Sequence, residues 1–454
     1  MVKRGIYATI TAITAMCALG ACGNTETDSV ISEQGESEAL HSEEAGAAES
    51  DMTEPDTESQ DAVNLTNESS IAITIDYDIQ SYEDIQNFSY QLFGENLESQ
   101  NPVLSPVSAY LALAMAAFGS DGSTKAEFDK LLGEGAMVIS DDIMNSLPVE
   151  SKNQILSLAN SAWIDDQYLV DENWIGSIKS LLDAEAYQTD LSSTEAMNSM
   201  NDWIKTKTNE MINEMLTEPL DSDARLALFN TIYFKAKWSS PFEVESTYQD
   251  QFHVNENEQV EVDMMNKYAE GFDYISNDFA EGLIFPYRSD TEKPNLALLA
   301  LKPKEGMTVR EMYNNLNGDV ISDMLKNKMT SLVNIKLPKF EISFEDSLND
   351  SLMNMGLVDG FDPEKADFSL MGKNVSGNNL YISLVKQKAK IIVDEEGTEA
   401  AAATEVMMAE ACALFPEEPI DVYFDEPFLY IIMDMDREIP LFMGILDNPA
   451  AIKE

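Results

Sequence analysis

Cysteine and histidine are almost missing from this chain, and each shortage removes a class of chemistry. Of its 454 residues only three are Cys and two are His. Cys17 and Cys22 sit near the N-terminus and Cys412 near the other end, so the long stretch between can hold no internal disulfide and must rely on packing. His41 and His253 are the two histidines. A hydrolase needs a nucleophile, a neighbouring base and a group that orients the base. No HExxH, CxxC, nucleophile-elbow or phosphate-loop spacing occurs. His253 in Phe252-His253-Val254 reads as a strand residue, and Met264-Met265 and Met407-Met408 read as packing. The expectation is no enzyme, no metal and no cofactor.

Positive charge is scarce as well. Lys and Arg number 28 against 82 Asp and Glu, a formal charge of −54. That excess exceeds what a tail could carry, so the folded part is itself acidic and is expected to bind neither nucleic acid nor other polyanions. From Gly23 to about Ser70 there is no Lys or Arg and hardly an aromatic. Such a segment buries too little apolar surface to offset its ordering entropy. Residues 22–75 are read as an acidic, disordered tether with a reach of about 40 Å for some 50 residues; a solvated tail with no spacing role fits the composition too.

Long apolar runs are also lacking. Lys3 and Arg4 precede Ile6 to Leu19, which is short and Thr-rich against the roughly 20 residues of a membrane span. The run ends in Leu19-Gly20-Ala21-Cys22, similar to a bacterial lipobox, so residues 1–21 are read as a signal peptide and Cys22 as a lipidation site. The expected address is extracytoplasmic, anchored at the cell surface by lipid, and an ordinary secretory signal fits the same run.

What is present begins with helix signals. Asp84 to Glu95 places Ile85, Phe88 and Leu92 on one stripe. Ser105-Pro106 reads as N-cap and first helical residue of a helix to Phe118, and Thr124 with Glu127 as a capping box. Asp171 to Leu182 and Glu195 to Leu216 follow, around a strand at Ser157 to Ile164. Strand signals then dominate: Leu226 to Phe234, Gln259 to Met265, Gly282 to Pro286, Leu296 to Leu301, Leu332 to Phe344, Leu380 to Val393, Val422 to Phe424 and Phe428 to Met435. Helices first and strands later indicate an α+β domain over residues 76–454.

The most informative stretch runs from Asp394 to Met408. Its Glu, Ala and Met content favours helix, yet it also obeys strand parity. Thr398, Ala400, Ala402, Thr404, Val406 and Met408 share one small or apolar face, while Glu399, Ala401, Ala403, Glu405 and Met407 share the other. Both states suit a segment that is exposed at one time and a central strand at another.

This stretch, with Asp425-Glu426-Pro427-Phe428, Pro440-Leu441-Phe442-Met443-Gly444 and Asn448-Pro449, resembles the hinge, reactive loop and C-terminal signature of serpins. Asn87-Phe88-Ser89, Leu104-Ser105-Pro106-Val107-Ser108, Asn160-Ser161-Ala162-Trp163, Leu228 to Trp238 with Pro241-Phe242, and Leu337-Pro338-Lys339-Phe340 occur in the family's order. The resemblance spans about Asp76 to Pro449. It implies a serpin fold of three β-sheets and eight to nine helices with an exposed reactive loop at about 395–419.

The activity it implies is inhibition of extracellular serine endopeptidases. A target cuts the loop, and the loop inserts as a new strand while the acyl-enzyme is still intact. Glu395, Glu396, Gly397, Thr398, Glu399, Ala400, Ala401, Ala402 and Ala403 would form the hinge. The family spacing places the reactive bond between Ala411 and Cys412, suggesting an elastase-like or subtilisin-like target; Met408, Ala413, Leu414 and, for a glutamate-specific protease, Glu410 stay open. Cys412, exposed, could also oxidise. Ser105, Ser108, Asn230 and Trp238 match sheet-opening positions, with Gln387 where the family usually has His. A Gln there does not titrate. Where some serpins carry a basic glycosaminoglycan-binding helix, Gly133 to Glu150 has Asp141, Asp142 and no Lys or Arg. The expected partners are a target serine protease and, through lipid, a membrane, with the protein itself a monomer. Two rivals remain: a non-inhibitory serpin used for binding or storage, and a tethered solute-binding lipoprotein.

Overall fold

The computed structural model describes residues 62–67, 69–75, 79–291, 294–374, 379–398 and 418–451. Two large sheets carry the fold. The first has eight strands, ordered β1 (Val63–Asn64), β6 (Ala184–Thr189), β4 (Gln154–Asp165), β7 (Leu226–Lys237), β16 (Gly397–Thr398), β15 (Ile382–Val393) and β13 (Phe340–Ser347), with β3 (Val149–Glu150) on β4. The second has nine, ordered β17 (Ile420–Tyr423), β12 (Met329–Pro338), β9 (Glu258–Ser276), β10 (Ala280–Pro286), β11 (Leu296–Pro303), β18 (Phe428–Asp434), β19 (Ile439–Leu446) and β2 (Val103–Leu104), with β8 (Thr247–Asn255) on β9. A small third sheet pairs β5 (Tyr168–Val170) with β14 (Gly372–Asn374).

Nine α-helices accompany them among the described residues: α1 (Glu83–Gly94), α2 (Pro106–Ala117), α3 (Gly122–Leu132), α4 (Ala136–Ser146), α5 (Glu172–Leu182), α6 (Thr194–Lys207), α7 (Val309–Tyr313), α8 (Gly318–Lys326) and α9 (Asn349–Asn354). The α+β class stands. α2 is the central helix: Ser105 caps it through a bond from Ser108 N, Pro106 occupies its first turn, and eleven of its twelve residues are buried. An all-round apolar helix of this kind belongs inside the core, between the two sheets.

Along the first sheet, side chains alternate between two cores. Leu228, Ile232, Phe234 and Ala236 of β7 join the main core, whereas Ala227 and Phe229 join a smaller cluster with Met200, Trp203 and Ile204 of α6. The even residues of β7 therefore face inward and the odd ones face the α6 side.

Four readings of the sequence need correction. The long helix from Glu195 to Leu216 ends at Lys207, where Thr208 Oγ1 donates to Ile204 O at 2.9 Å and Asn209 and Glu210 adopt left-handed φ of 50° and 63°. Met211 and Met215 belong to the irregular segment beyond it. The run Leu332 to Phe344 is two strands in different sheets, broken at Lys339, whose N–H bonds Asp263 O at 2.9 Å. Thr124 and Glu127 form no capping box. Asp121 caps α3, Thr124 Oγ1 accepts from Asp367 N, and the Glu127 carboxylate accepts from Val358 and Asp359 N–H. The end of the tether is also packed. Val63 and Asn64 pair with β6, Lys179 Nζ donates to Thr66 O at 2.7 Å, and Ile71 lies where a Cβ on Gly176 would sit. Part-buried Leu65, packed against the main core, and Ile71, seated on Gly176, supply apolar contacts that the acidic stretch before them lacks.

Candidate functional site

The centre of the first sheet is forked. At the lower end β7 and β15 pair directly and in parallel, Ala227 with Leu384, Leu228 with Val385 and Phe229 with Lys386. Above that the direct ladder stops among the described residues. At the top β16 lies between them, antiparallel to both, with Gly397 opposite Lys237, and Thr398 opposite Ala236 on one side and Val393 on the other. The two ends are in step. Advancing one residue at a time along both strands from Phe229 and Lys386 arrives at Ala236 and Val393. The rows between, from Asn230 with Gln387 to Lys235 with Ile392, thus form a straight slot one strand wide.

The chain enters this slot through a tight turn. Asp394 Oδ1 accepts from Glu396 N at 2.9 Å and Gly397 N at 3.2 Å, and Asp394 N donates to Gly397 O at 3.0 Å. Trp238 holds the turn from the side: its indole Nε1 donates to Asp394 O at 2.9 Å and its backbone N to Glu396 O at 2.8 Å. Phe242 N donates to Glu395 O at 2.9 Å, and Lys339 pairs with the buried Glu395 carboxylate at 2.8 Å. Burial raises the Asp394 carboxyl above its usual range despite the two amides that it accepts from. Burial is also the largest single influence on Glu395, but the hydrogen bond and charge of Lys339 combine with further hydrogen bonds to the carboxylate to hold it low. Gly397 is required here, since a Cβ would stand 2.0 Å from Ala236 O.

Thr398 faces inward and is 2 % exposed. Its Oγ1 lies 2.6 Å from the hydroxyl of Tyr287, whose ring stacks on Trp238 at 4.7 Å and 12°. A hydroxyl with a partner satisfies this position; a charge would have none.

At the slot's lower end lies a buried polar chain. Gln387, 3 % exposed, accepts from Ser105 N and donates to Ser105 O, both at 2.8 Å. Ser108 Oγ donates to Asn230 Oδ1, Asn230 Nδ2 to Asn160 Oδ1 at 2.5 Å, and Asn160 Nδ2 to Leu182 O at 2.9 Å. The series ties α2 to β15 on one flank and to β7, β4 and the end of α5 on the other. None of its members ionises in the physiological range.

Of the residues singled out in the sequence, Ser105, Ser108, Asn230 and Gln387 converge on this lower end. Glu395, Glu396, Gly397, Thr398 and Trp238 converge on the upper one. Glu399, Ala400, Ala401, Ala402, Ala403, Ala411, Cys412 and Cys22 lie outside the described residues. Sequence reading missed Asn160, Tyr287 and the roles of Asp394 and Lys339. Asn160 and Lys339 lie within recognisable motifs, whereas Tyr287 carries no signal of its own, being placed only by its bridge to Trp238.

The first sheet is thus parted at its centre, with the short strand Gly397–Thr398 seated in the upper gap. The family model described as Serpin (serine protease inhibitor) matches residues 83–449. An uncharacterized serpin-like protein of Thermococcus kodakarensis is 33% identical over 377 residues, covering 80% of this chain and 85% of its own. The crystal structure of the thermophilic serpin tengpin in its native state aligns with TM-score 0.78 and 31% identity, covering 86% of this chain and 100% of that one. Human thyroxine-binding globulin complexed with thyroxine aligns with TM-score 0.72 and 25% identity, covering 81% and 98%. The chain belongs to the serpin family. That membership places it among proteins that in general inhibit proteases and are not themselves enzymes.

Proposed function

We propose that this protein inhibits extracellular serine endopeptidases of elastase-like or subtilisin-like preference by inserting its own cleaved loop into the first sheet. The target's serine oxygen attacks the Ala411 carbonyl and the Ala411–Cys412 bond breaks. The serine proton passes to the amine of Cys412, which leaves as a new N-terminus, while Ala411 stays esterified to the target. Insertion before hydrolysis then traps that ester. Lipid on Cys22, at the end of an acidic tether, would hold the inhibitor at the cell surface.

The observation that carries this reading is the register at Thr398. Carried on through the slot by insertion, that register would bring Ala400 beside Phe234 and Ile391, Ala402 beside Ile232 and residue 389, and Thr404 beside Asn230 and Gln387. Small side chains would meet the apolar rows, and a hydroxyl would meet the polar one. Burial of an unpaired charge, which costs several kcal/mol, is thereby avoided on the inward face.

Mixing the protein with pancreatic or neutrophil-type elastase and with a subtilisin tests this. The expected product is an SDS-resistant complex near one-to-one, with mass spectrometry placing the cut after Ala411. Cleaved inhibitor beside fully active protease, across both classes, would refute it. In that case a non-inhibitory binding role would stand instead, in keeping with the likeness to thyroxine-binding globulin.

A further inference from the structure

The buried polar chain at the lower end of the fork terminates on a poor acceptor. The Asn160 amide has two protons to give; one goes to Leu182 O at 2.9 Å and the other to Met144 Sδ of α4 at 3.6 Å. A thioether sulfur accepts only weakly. Asn160 is 1 % exposed, whereas Met144 is half-buried and packed against the main core. A second donor stands close by. Ser140 lies one turn earlier on α4, on the face that Met144 shares, and long side chains of a helix lean back over that preceding turn. Ser140 is fully buried, and its Oγ has no hydrogen-bond partner among the described residues. One sulfur therefore has a donor aimed at it from β4 and an unused hydroxyl one turn away on its own helix.

The helix that carries this sulfur is held from elsewhere. Asp142 accepts from the Tyr82 hydroxyl at 2.8 Å and from Arg437 Nε at 2.9 Å, which fixes α4 to the start of α1 and to the turn between β18 and β19. The separation of sulfur and amide also suits one more atom. With 3.6 Å between Sδ and Nδ2, an oxygen roughly 1.5 Å from the sulfur can stand about 2.9 Å from the nitrogen at an S–O···N angle of roughly 105°. That is an ordinary hydrogen bond, made without moving either residue.

We propose that Met144 is a peroxide-responsive modification site, whose sulfoxide oxygen accepts from Asn160 and Ser140 and so closes the polar chain. The thioether sulfur attacks one oxygen of hydrogen peroxide. The S–O bond forms as the O–O bond breaks, the sulfur is oxidised by two electrons, and the other oxygen leaves as water. Hydrogen bonds along a buried chain polarise one another, so a stronger last acceptor strengthens the bonds from Asn230 to Asn160 and from Ser108 to Asn230. Those bonds hold β4 and β7 to α2 beside the row where β7 parts from β15. Oxidation therefore tightens the lower end of the fork. None of these groups belongs to the loop, so the effect holds whether or not the loop inserts.

Treating the full chain with hydrogen peroxide, beside Met144→Leu and Ser140→Ala, tests this. Peptide mass spectrometry should find sulfoxide at residue 144 as well as at Met329, which is 53 % exposed and serves as the reference. Oxidised parent should melt about 1–3 °C above oxidised Met144→Leu, once the difference between the untreated pair is subtracted. A methionine that only packs behaves in the opposite way, since its sulfoxide disrupts the core around it. Ser140→Ala should lose part of the rise. In amide-labelled parent the side-chain protons of Asn160 should shift downfield, and the backbone amides of Ala227 to Thr231 should exchange about two- to five-fold more slowly. The proposal falls if Met329 is oxidised and Met144 is not, or if the corrected melting difference is zero or negative. It falls equally if the rise survives whole in Ser140→Ala, or if the Asn160 amide is unmoved in protein oxidised at Met144.

Discussion

Replacing Thr398 by Arg separates cleavage from trapping. In the intact protein the substitution removes a hydroxyl pair with Tyr287 that is buried beneath Trp238. The hinge can answer by withdrawing from the top of the slot, so the loss is limited to that hydrogen bond and the orphaned tyrosine hydroxyl, together about 2 kcal/mol. Unfolding entropy near 2.1 cal/mol/K per residue gives a domain of about 375 residues roughly 0.8 kcal/mol/K, so intact Thr398→Arg should melt about 2–3 °C below the parent. The cleaved forms should differ far more. Cleavage of the parent should stabilise it by well beyond the roughly 0.5–3 kcal/mol of an ordinary point change, hence by more than about 4 °C. Cleaved Thr398→Arg should show little or none of that gain, because insertion would bury an unpaired guanidinium between Ala236 and Val393. Differential scanning calorimetry of both proteins before and after elastase, with SDS gels of the same mixtures, reads both effects. The variant should be cut at the parent's bond and release active protease. Equal inhibition by variant and parent, or equal melting of cleaved and intact parent, would show that the loop does not insert.

Three further outcomes follow from other contacts. Gln387→Ala orphans the buried Ser105 N–H and leaves Ser105 O with only the helical bond from Ala109 N, and should lower stability in urea by about 1–3 kcal/mol while leaving the pH profile of opening flat; a loss under about 0.5 kcal/mol would deny the pair any structural weight. Lys267 donates to Ser240 O and Pro241 O beside the hinge and lies over the Phe242 and Phe272 rings, and burial lowers its pKa from 10.5 to about 8. Between those values the unfolded chain holds a proton that the folded one lacks, so this group's contribution makes stability rise with pH there, and Lys267→Met should reduce that rise in urea titrations at about pH 7 and about pH 10. Cys22→Ala should move the protein from the membrane fraction to the medium, and unchanged fractionation would remove the lipid anchor.

Much of the fold was legible because local pattern and packing agree. Ser105-Pro106 capped a helix in the sequence as it does in space, and Asp171 likewise opens α5. Legibility failed where a residue's role depends on distant partners. Glu195 to Leu216 keeps helical spacing past Lys207, but Met211 and Met215 serve the α6-side cluster from irregular backbone. The pattern around α4 gives no clear helix signal, and within Leu332 to Phe344 only Pro338 marks a break before Lys339, without showing that the chain changes sheet there. At the site, the parity of the segment after Gly397 was readable from side-chain size alone. That Tyr287 meets Thr398, and that Asp394 folds the turn onto its own backbone, required the meeting of segments more than a hundred residues apart or a geometry that composition does not encode.

The seated pair Gly397–Thr398 also governs how the length of the loop can vary. A strand's two faces exchange with every residue added or removed. On the proposed insertion, gain of one residue directly after Thr398 would turn Glu399 toward Phe234, and loss of one residue between Glu399 and Glu405 would turn Glu405 toward Asn230. Beyond Met408 no such parity applies, and residues can come and go without disturbing the fit to the slot. If the loop inserts as proposed, new target preferences can arise by lengthening or shortening the chain around Ala411, while the inserting stretch would admit substitution but not a change of one residue in length.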